Sequence, residues 1–120
     1  MPTLAGLTVL AVSRTPWIYR ARLLLEPESP CFAGHFPTHP ILPGIAHLSL
    51  ALDGCRELLG KGASLVALHG LRFRIPLRPG DTIELTVTRP KEAKTVRFEL
   101  RRAEALASSG SLVLADDAGA

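Results

Sequence analysis

Between Pro27 and Gly44 the chain carries prolines at 27, 30, 37, 40 and 43, with glycines at 34 and 44. Each proline fixes φ near the value of an extended or turn conformation, removes a backbone donor and restricts the residue before it. Neither a helix nor a central strand passes through such a segment, so the spacing predicts a loop that is long but stiff. Directly after it comes IAHLSLALDGCRELL, closed by Gly60. Ile45, Leu48, Leu52, Cys55 and Leu59 recur at steps of three and four, with Leu50, Ala51 and Leu58 widening the apolar surface. This predicts a helix over about 45–59, punctuated by Pro43-Gly44 and ended by Gly60. At 100° per residue, Ser49, Asp53, Arg56 and Glu57 form its one polar stripe, so the helix is expected to be nearly surrounded by protein.

What surrounds it is read from the flanks. Trp17, Tyr19, Ala21, Leu23 and Leu25 alternate with Arg20 and Arg22 ahead of the loop. After the helix, Leu71, Phe73 and Ile75 alternate with Arg72 and Arg74, then a turn falls at Pro79-Gly80-Asp81. Ile83, Leu85 and Val87 share one face of the next strand, and Val96, Phe98 and Leu100 share one face of another. Ser109-Gly110 reads as a hairpin turn into SLVLA. Strands joined by short turns pair antiparallel, and a single apolar helix must lie inside them: α+β. With 120 residues the chain is one domain, residues 1–15 and 116–120 being peripheral. Aromatic residues are only 5%, so Leu, Val, Ile and Ala must build the core.

Composition excludes several function classes. Hydrophobic content of 47% and charged content of 21% fit a folded soluble domain rather than a disordered one. The apolar start MPTLAGLTVLAV has no preceding basic residue and is too short to cross a bilayer, so neither a leader nor an anchor is expected. Cys31 and Cys55 lack metal-ligand spacing and are read as reduced thiols of a cytoplasmic protein. The net charge of +3 and pI near 9.3 favour anionic partners. The basic residues of the second half come without an aromatic platform, and nucleic acid is not expected.

The chemistry concentrates in GHFPTHPILPG, residues 34–44. Here an imidazole, His35, is held by proline and glycine just before a helix N-terminus, where backbone N–H groups lack intrahelical partners. Such a pairing suits proton abstraction beside a carbonyl: the imidazole takes the proton and the N–H groups stabilise the enolate. Pro43 has no donor, so Gly44 and Ile45 are the expected N–H sources, and Gly44 lets a substrate carbonyl approach. His39, His47 and His69 are read as structural or exposed. No metal site is expected, because His35 and His39 lie on a proline-broken loop without helical ligand geometry.

These residues resemble the signature loop of the hotdog-fold (3R)-hydroxyacyl-[acyl carrier protein] dehydratases of fatty-acid synthesis, G-H-F-P-x-x-P-x-x-P-G followed by a central helix. Gly34, His35, Phe36, Pro37, Pro40, Pro43 and Gly44 fill every fixed position, and FRIPLRPGDTIEL, residues 73–85, is similar to the strand-turn-strand that follows. The likeness runs from about Trp17 to Ala115. It implies a hotdog, an antiparallel sheet wrapped around one long helix, assembled as a homodimer or an oligomer of dimers with each active site at the interface. It further implies His35 as base at C2 of a 3-hydroxyacyl thioester, and Gly44 as the donor to the thioester carbonyl beside Phe36. The substrate arrives on the phosphopantetheine arm of acyl carrier protein; no metal, redox cofactor or membrane is implied.

One position departs from the pattern. The family keeps Glu or Asp on the helix five residues after the glycine of the PG pair, and here that residue is Ser49; the position four later, usually Gln, is Asp53. Three readings stand. Asp53 supplies the acid, directly or through a water held by Ser49, the two being about 40° and 6 Å apart on the helix. Alternatively, His35 acts alone as base and proton donor. In the third reading the chain hydrolyses acyl thioesters or only binds them, because fold does not fix function.

Overall fold

The computed structural model describes residues 6–32, 40–90 and 95–115. Six strands form one antiparallel sheet: β1 (Leu7–Arg14), β2 (Ile18–Leu25), β3 (Ser64–Phe73), β4 (Thr82–Thr88), β5 (Thr95–Arg102) and β6 (Ala105–Ala115), in the order β1-β2-β4-β5-β6-β3. One helix, α1 (Gly44–Leu59), crosses the concave face and packs on β2, β4 and β5. The α+β expectation, a sheet wrapped around a central helix, is what the chain adopts.

Alternation places the core. Ala21, Leu23 and Leu25 of β2, Ile83, Leu85 and Val87 of β4, and Val96, Phe98 and Leu100 of β5 are all buried, while the residues between them face outward. On the outer face Arg22, Glu84 and Arg101 lie side by side across three strands, so opposite charges are neighbours. The turn expected at Pro79-Gly80-Asp81 is closed by the Asp81 N–H on the Arg78 carbonyl at 3.1 Å, and the Asp81 carboxylate accepts from the Arg78 N–H at 2.8 Å.

Three features differ from the sequence reading. Residues 7–14 form β1, the outer edge strand beside β2. Ser109-Gly110 is no turn: both lie inside β6, and the hairpin loop is Ala103-Glu104, flanked by the Arg102–Ala105 pair. Gly110 serves a close approach instead, because a Cβ there would stand 3.1 Å from the Phe98 ring and 3.3 Å from the Leu71 backbone. Finally, α1 buries Ala46, His47, Leu50, Ala51, Gly54, Cys55 and Leu58. Ile45, at 71% exposure, faces outward, and Leu48, Leu52 and Leu59 are half-buried at the margin of the core. An all-round apolar helix leaves its rotation undecided, and here the small residues are chosen for the sheet side. Packing of that kind brings the helix close: a Cβ on Gly54 would lie 2.7 Å from Val87 Cγ2.

Candidate active site

Pro43 is the N-cap of α1, extended at φ −63° and ψ 152°, and no side chain caps the helix. Ala46 donates to the Pro43 carbonyl at 3.0 Å, so the first turn closes behind two N–H groups, those of Gly44 and Ile45, that helix geometry leaves without an intrahelical acceptor. Both point out of the positive end of the helix dipole, where a developing oxyanion is stabilised. The segment entering the helix is tied to the sheet side: the Leu42 N–H donates to the Leu77 carbonyl at 2.7 Å, and both side chains are buried.

Beside this terminus opens a cleft of about 290 Å³ lined by Ile41, Leu42, Gly44, His47, Phe73 and Ile75, with Arg74 and Pro76 at its rim. Phe73, at the end of β3, is 51% exposed, and its ring edge stands 3.1 Å from where a Gly44 Cβ would be. A side chain at position 44 would push that ring back by a few tenths of an ångström. His47 forms the floor: it is buried at 3% exposure, its Nδ1 lies 2.8 Å from Ser108 Oγ, and its ring meets Phe73 edge-on at 5.1 Å. Burial lowers its pKa to about 4, against a smaller opposing effect of the Leu42 carbonyl, so the ring is neutral at physiological pH.

Asp53 lies elsewhere. Nine residues beyond Gly44, it stands about 13 Å further along the helix axis. It lines a separate small pocket between α1 and β2 with Tyr19, Ala21, Leu23, Gly54 and Glu57. Burial, then the carboxylates of Glu57 and Asp53, hold the Tyr19 phenol above its ordinary range, with Arg14 acting in opposition. Ser49 is half-buried on the outward side of the helix between the two cavities. Within one chain, then, Gly44 and Ile45 share one end of α1 while Asp53 borders a different cavity.

His35 and Phe36, the expected base and substrate contact, lie outside the described residues, as does His39. Among the described residues no three His, Cys, Asp or Glu side chains cluster as a metal site, and no helix is long and apolar enough to cross a membrane. Cys55 is no nucleophile: burial pushes its thiol up to about 12. The cleft residue His47 and its partner Ser108 carried no functional signal in the sequence.

Comparison with known proteins follows the same outline. Residues 13–111 match the ApeI-like family model, described as ApeI dehydratase. The 3-hydroxyacyl-[acyl-carrier-protein] dehydratase FabZ of Thermomicrobium roseum is 36% identical over 98 residues, covering 73% of this chain and 66% of that protein. The chain spans from 50% to 66% of the length of the first curated relatives it matches. Among solved structures, one described as the dehydratase heterocomplex ApeI:P from Xenorhabdus doucetiae superposes with a TM-score of 0.82 at 27% identity, covering 89% of this chain and 96% of that one. Thioesterase superfamily member 2 from Mus musculus shares the fold, with a TM-score of 0.69 at 16% identity over 89% of this chain and 79% of that one.

Proposed function

The chain belongs to the ApeI-like dehydratase family, and from that premise we propose that it dehydrates (3R)-3-hydroxyacyl thioesters, carried on acyl carrier protein, to trans-2-enoyl thioesters. The observation that carries this reading is the unbroken run from the histidine loop, residues 34–44, into a helix that opens with two unsatisfied N–H groups. His35 removes a C2 proton. Gly44 and Ile45 hold the thioester oxygen as negative charge develops on it, and Phe36 lies against the acyl chain. The C3 hydroxyl then leaves as water, with a proton delivered to it, and no metal or redox cofactor takes part.

The source of that proton follows from spacing. Carbonyl and hydroxyl are two carbons apart on the substrate, whereas Gly44 and Asp53 of one chain are separated by about 13 Å. Asp53 can serve the reaction only if a second copy brings its helix to the loop of the first, with Ser49 holding a bridging water. The outward apolar side of α1 and the exposed edge β3, which displays Leu65, Val66 and Phe73, are surfaces such a homodimer covers. Failing that, His35 returns the proton itself. The substrate's arm and acidic carrier suit a chain of net charge +3, and Cys31 and Cys55, not joined in a disulfide, suit the cytoplasm.

The test is direct. The purified protein is given a 3-hydroxyacyl thioester of acyl carrier protein or pantetheine, and enoyl product is followed in both directions. No turnover, or release of free thiol instead, refutes the proposal, thiol release identifying a thioesterase. His35→Ala is expected to abolish turnover, and Asp53→Asn to lower it by about tenfold or more if Asp53 is the acid. An unchanged rate removes Asp53, and Ser49→Glu is then expected to raise activity.

A further inference from the structure

His47 is the one polar side chain on the face that α1 buries against the sheet. An imidazole there costs desolvation that a leucine would not, and a buried polar group is stable only with its partners in place. Ser108 supplies a partner from β6, on a concave-face row where it pairs with Leu100 on one side and Phe73 on the other. The Leu42 carbonyl is the ring's second polar neighbour. The imidazole therefore joins the loop before the helix, the first turn and the sheet.

The position matters because α1 lacks the usual device for fixing a first turn. With proline as N-cap, no side chain accepts from the N–H groups of that turn. The helix packs on β2, β4 and β5, so the tie to Ser108 on β6 adds a fixed point at the N-terminal end. The same Phe73 ring touches His47 edge-on and fills the space beside Gly44. The imidazole, the Phe73 ring and the Gly44 backbone are thus consecutive neighbours at the start of the helix.

Accepting the dehydratase reading, we propose that His47 is a positioning residue for the reaction: bonded to Ser108 and wedged against Phe73, it sets where the Gly44 and Ile45 N–H donors point into the cleft. It takes no proton in the cycle. Its effect falls on the transition state, because donors displaced by a fraction of an ångström still let substrate bind but no longer meet the oxyanion.

The experiment compares His47→Leu, His47→Gln, Ser108→Ala and the double variant His47→Leu/Ser108→Ala, each first shown to be folded by circular dichroism and thermal melting. For a 3-hydroxyacyl pantetheine thioester, His47→Leu is expected to lower kcat about ten- to hundredfold with KM within about twofold, the signature of a lost transition-state interaction. His47→Gln, which still reaches Ser108, should recover most of that loss. Ser108→Ala should lose part of it, and the double variant should be no slower than His47→Leu. An unchanged kcat in folded His47→Leu, or a rise in KM alone, overturns the inference. If the wild type shows no turnover, the dehydratase reading fails by itself, and backbone NMR decides the positioning claim. The Gly44 and Ile45 amide resonances should move in His47→Leu and return in His47→Gln; resonances that stay put in His47→Leu overturn it.

Discussion

Substituting alanine for Gly54 opposes two effects of comparable size, and their sign depends on how closely α1 sits on β4. In an exposed helix the change stabilises by about 1 kcal/mol, because alanine restricts the unfolded chain and suits the helix. Here the added Cβ would stand 2.7 Å from Val87 Cγ2, 3.0 Å from Leu85 Cδ2 and 3.4 Å from the Tyr19 ring. Carbon atoms rest at about 3.5–4.0 Å, so an opening of nearly an ångström is required. Leu85 can swing its methyl aside. Val87 cannot easily do so, being fully buried and stiff at χ1. Overpacking of this kind costs about 1–3 kcal/mol. The balance is a net loss of about 1 kcal/mol, or about 4 °C in Tm for a chain of this size. Thermal and urea denaturation of the wild type and Gly54→Ala measure it. The same substitution in a Val87→Ala background removes the clash and is expected to stabilise by about 1 kcal/mol relative to Val87→Ala alone. A stabilisation of equal size in both backgrounds would mean that the helix does not seat against β4 at this point, and the packing argument would fall with it.

Two further predictions concern stability. Ala103 opens the β5–β6 hairpin loop at φ 55°, a position where type II′ turns take glycine; Ala103→Gly should therefore raise Tm by several degrees, relieving about 1 kcal/mol of left-handed strain, and a fall in Tm refutes this. His47, held at about 4 against 6.5 in the unfolded chain, faces Ser108, Phe73 and the Leu42 carbonyl with Arg74 at the cleft rim. As pH falls from 6.5 towards 4 the unfolded chain gains a proton that the folded one refuses, so stability declines by an amount on the order of 3 kcal/mol. Denaturation midpoints at pH 7.5 and 5 should differ less in His47→Gln than in the wild type, and equal pH slopes refute it.

The parts of the fold legible in the sequence are those where one face of an element is buried and the other is wet. Ile83, Leu85 and Val87 announce β4 by alternation, and the burial of all three follows. β1 gave no such signal, since nearly all of its residues are exposed and its register shifts between Val9 and Ala11. The β5–β6 turn was invisible for a different reason: Ala103 holds a positive φ without glycine or asparagine, while the Ser-Gly pair that mimics a turn is drawn into β6 by the Phe98 contact. The helix was legible in extent but not in rotation, because leucines lie on every side of it. At the candidate site, Gly44 was read as room for a substrate carbonyl, and what the fold sets beside it is the Phe73 ring, an approach the sequence did not signal. His47 could not be foretold, since its partner Ser108 lies 61 residues away and only the sheet brings them together.

The direction of the two helix residues that compete for the acid role sharpens the chemical question. Taking the most exposed residue of α1, Ile45, as the outward direction, Ser49 lies about 40° from it and Asp53 about 80°. Ser49 thus faces the side that the proposed homodimer would cover, but it carries a hydroxyl that neither ionises nor donates a proton readily near neutral pH. Asp53 has the proton-transfer chemistry but leans towards its own β2, where Tyr19 and Glu57 share its pocket. The residue with the right direction lacks the acid, and the residue with the acid lacks the direction. In the proposed dimer, a water held by Ser49 and polarised by Asp53 would reconcile the two, borrowing direction from one and acidity from the other.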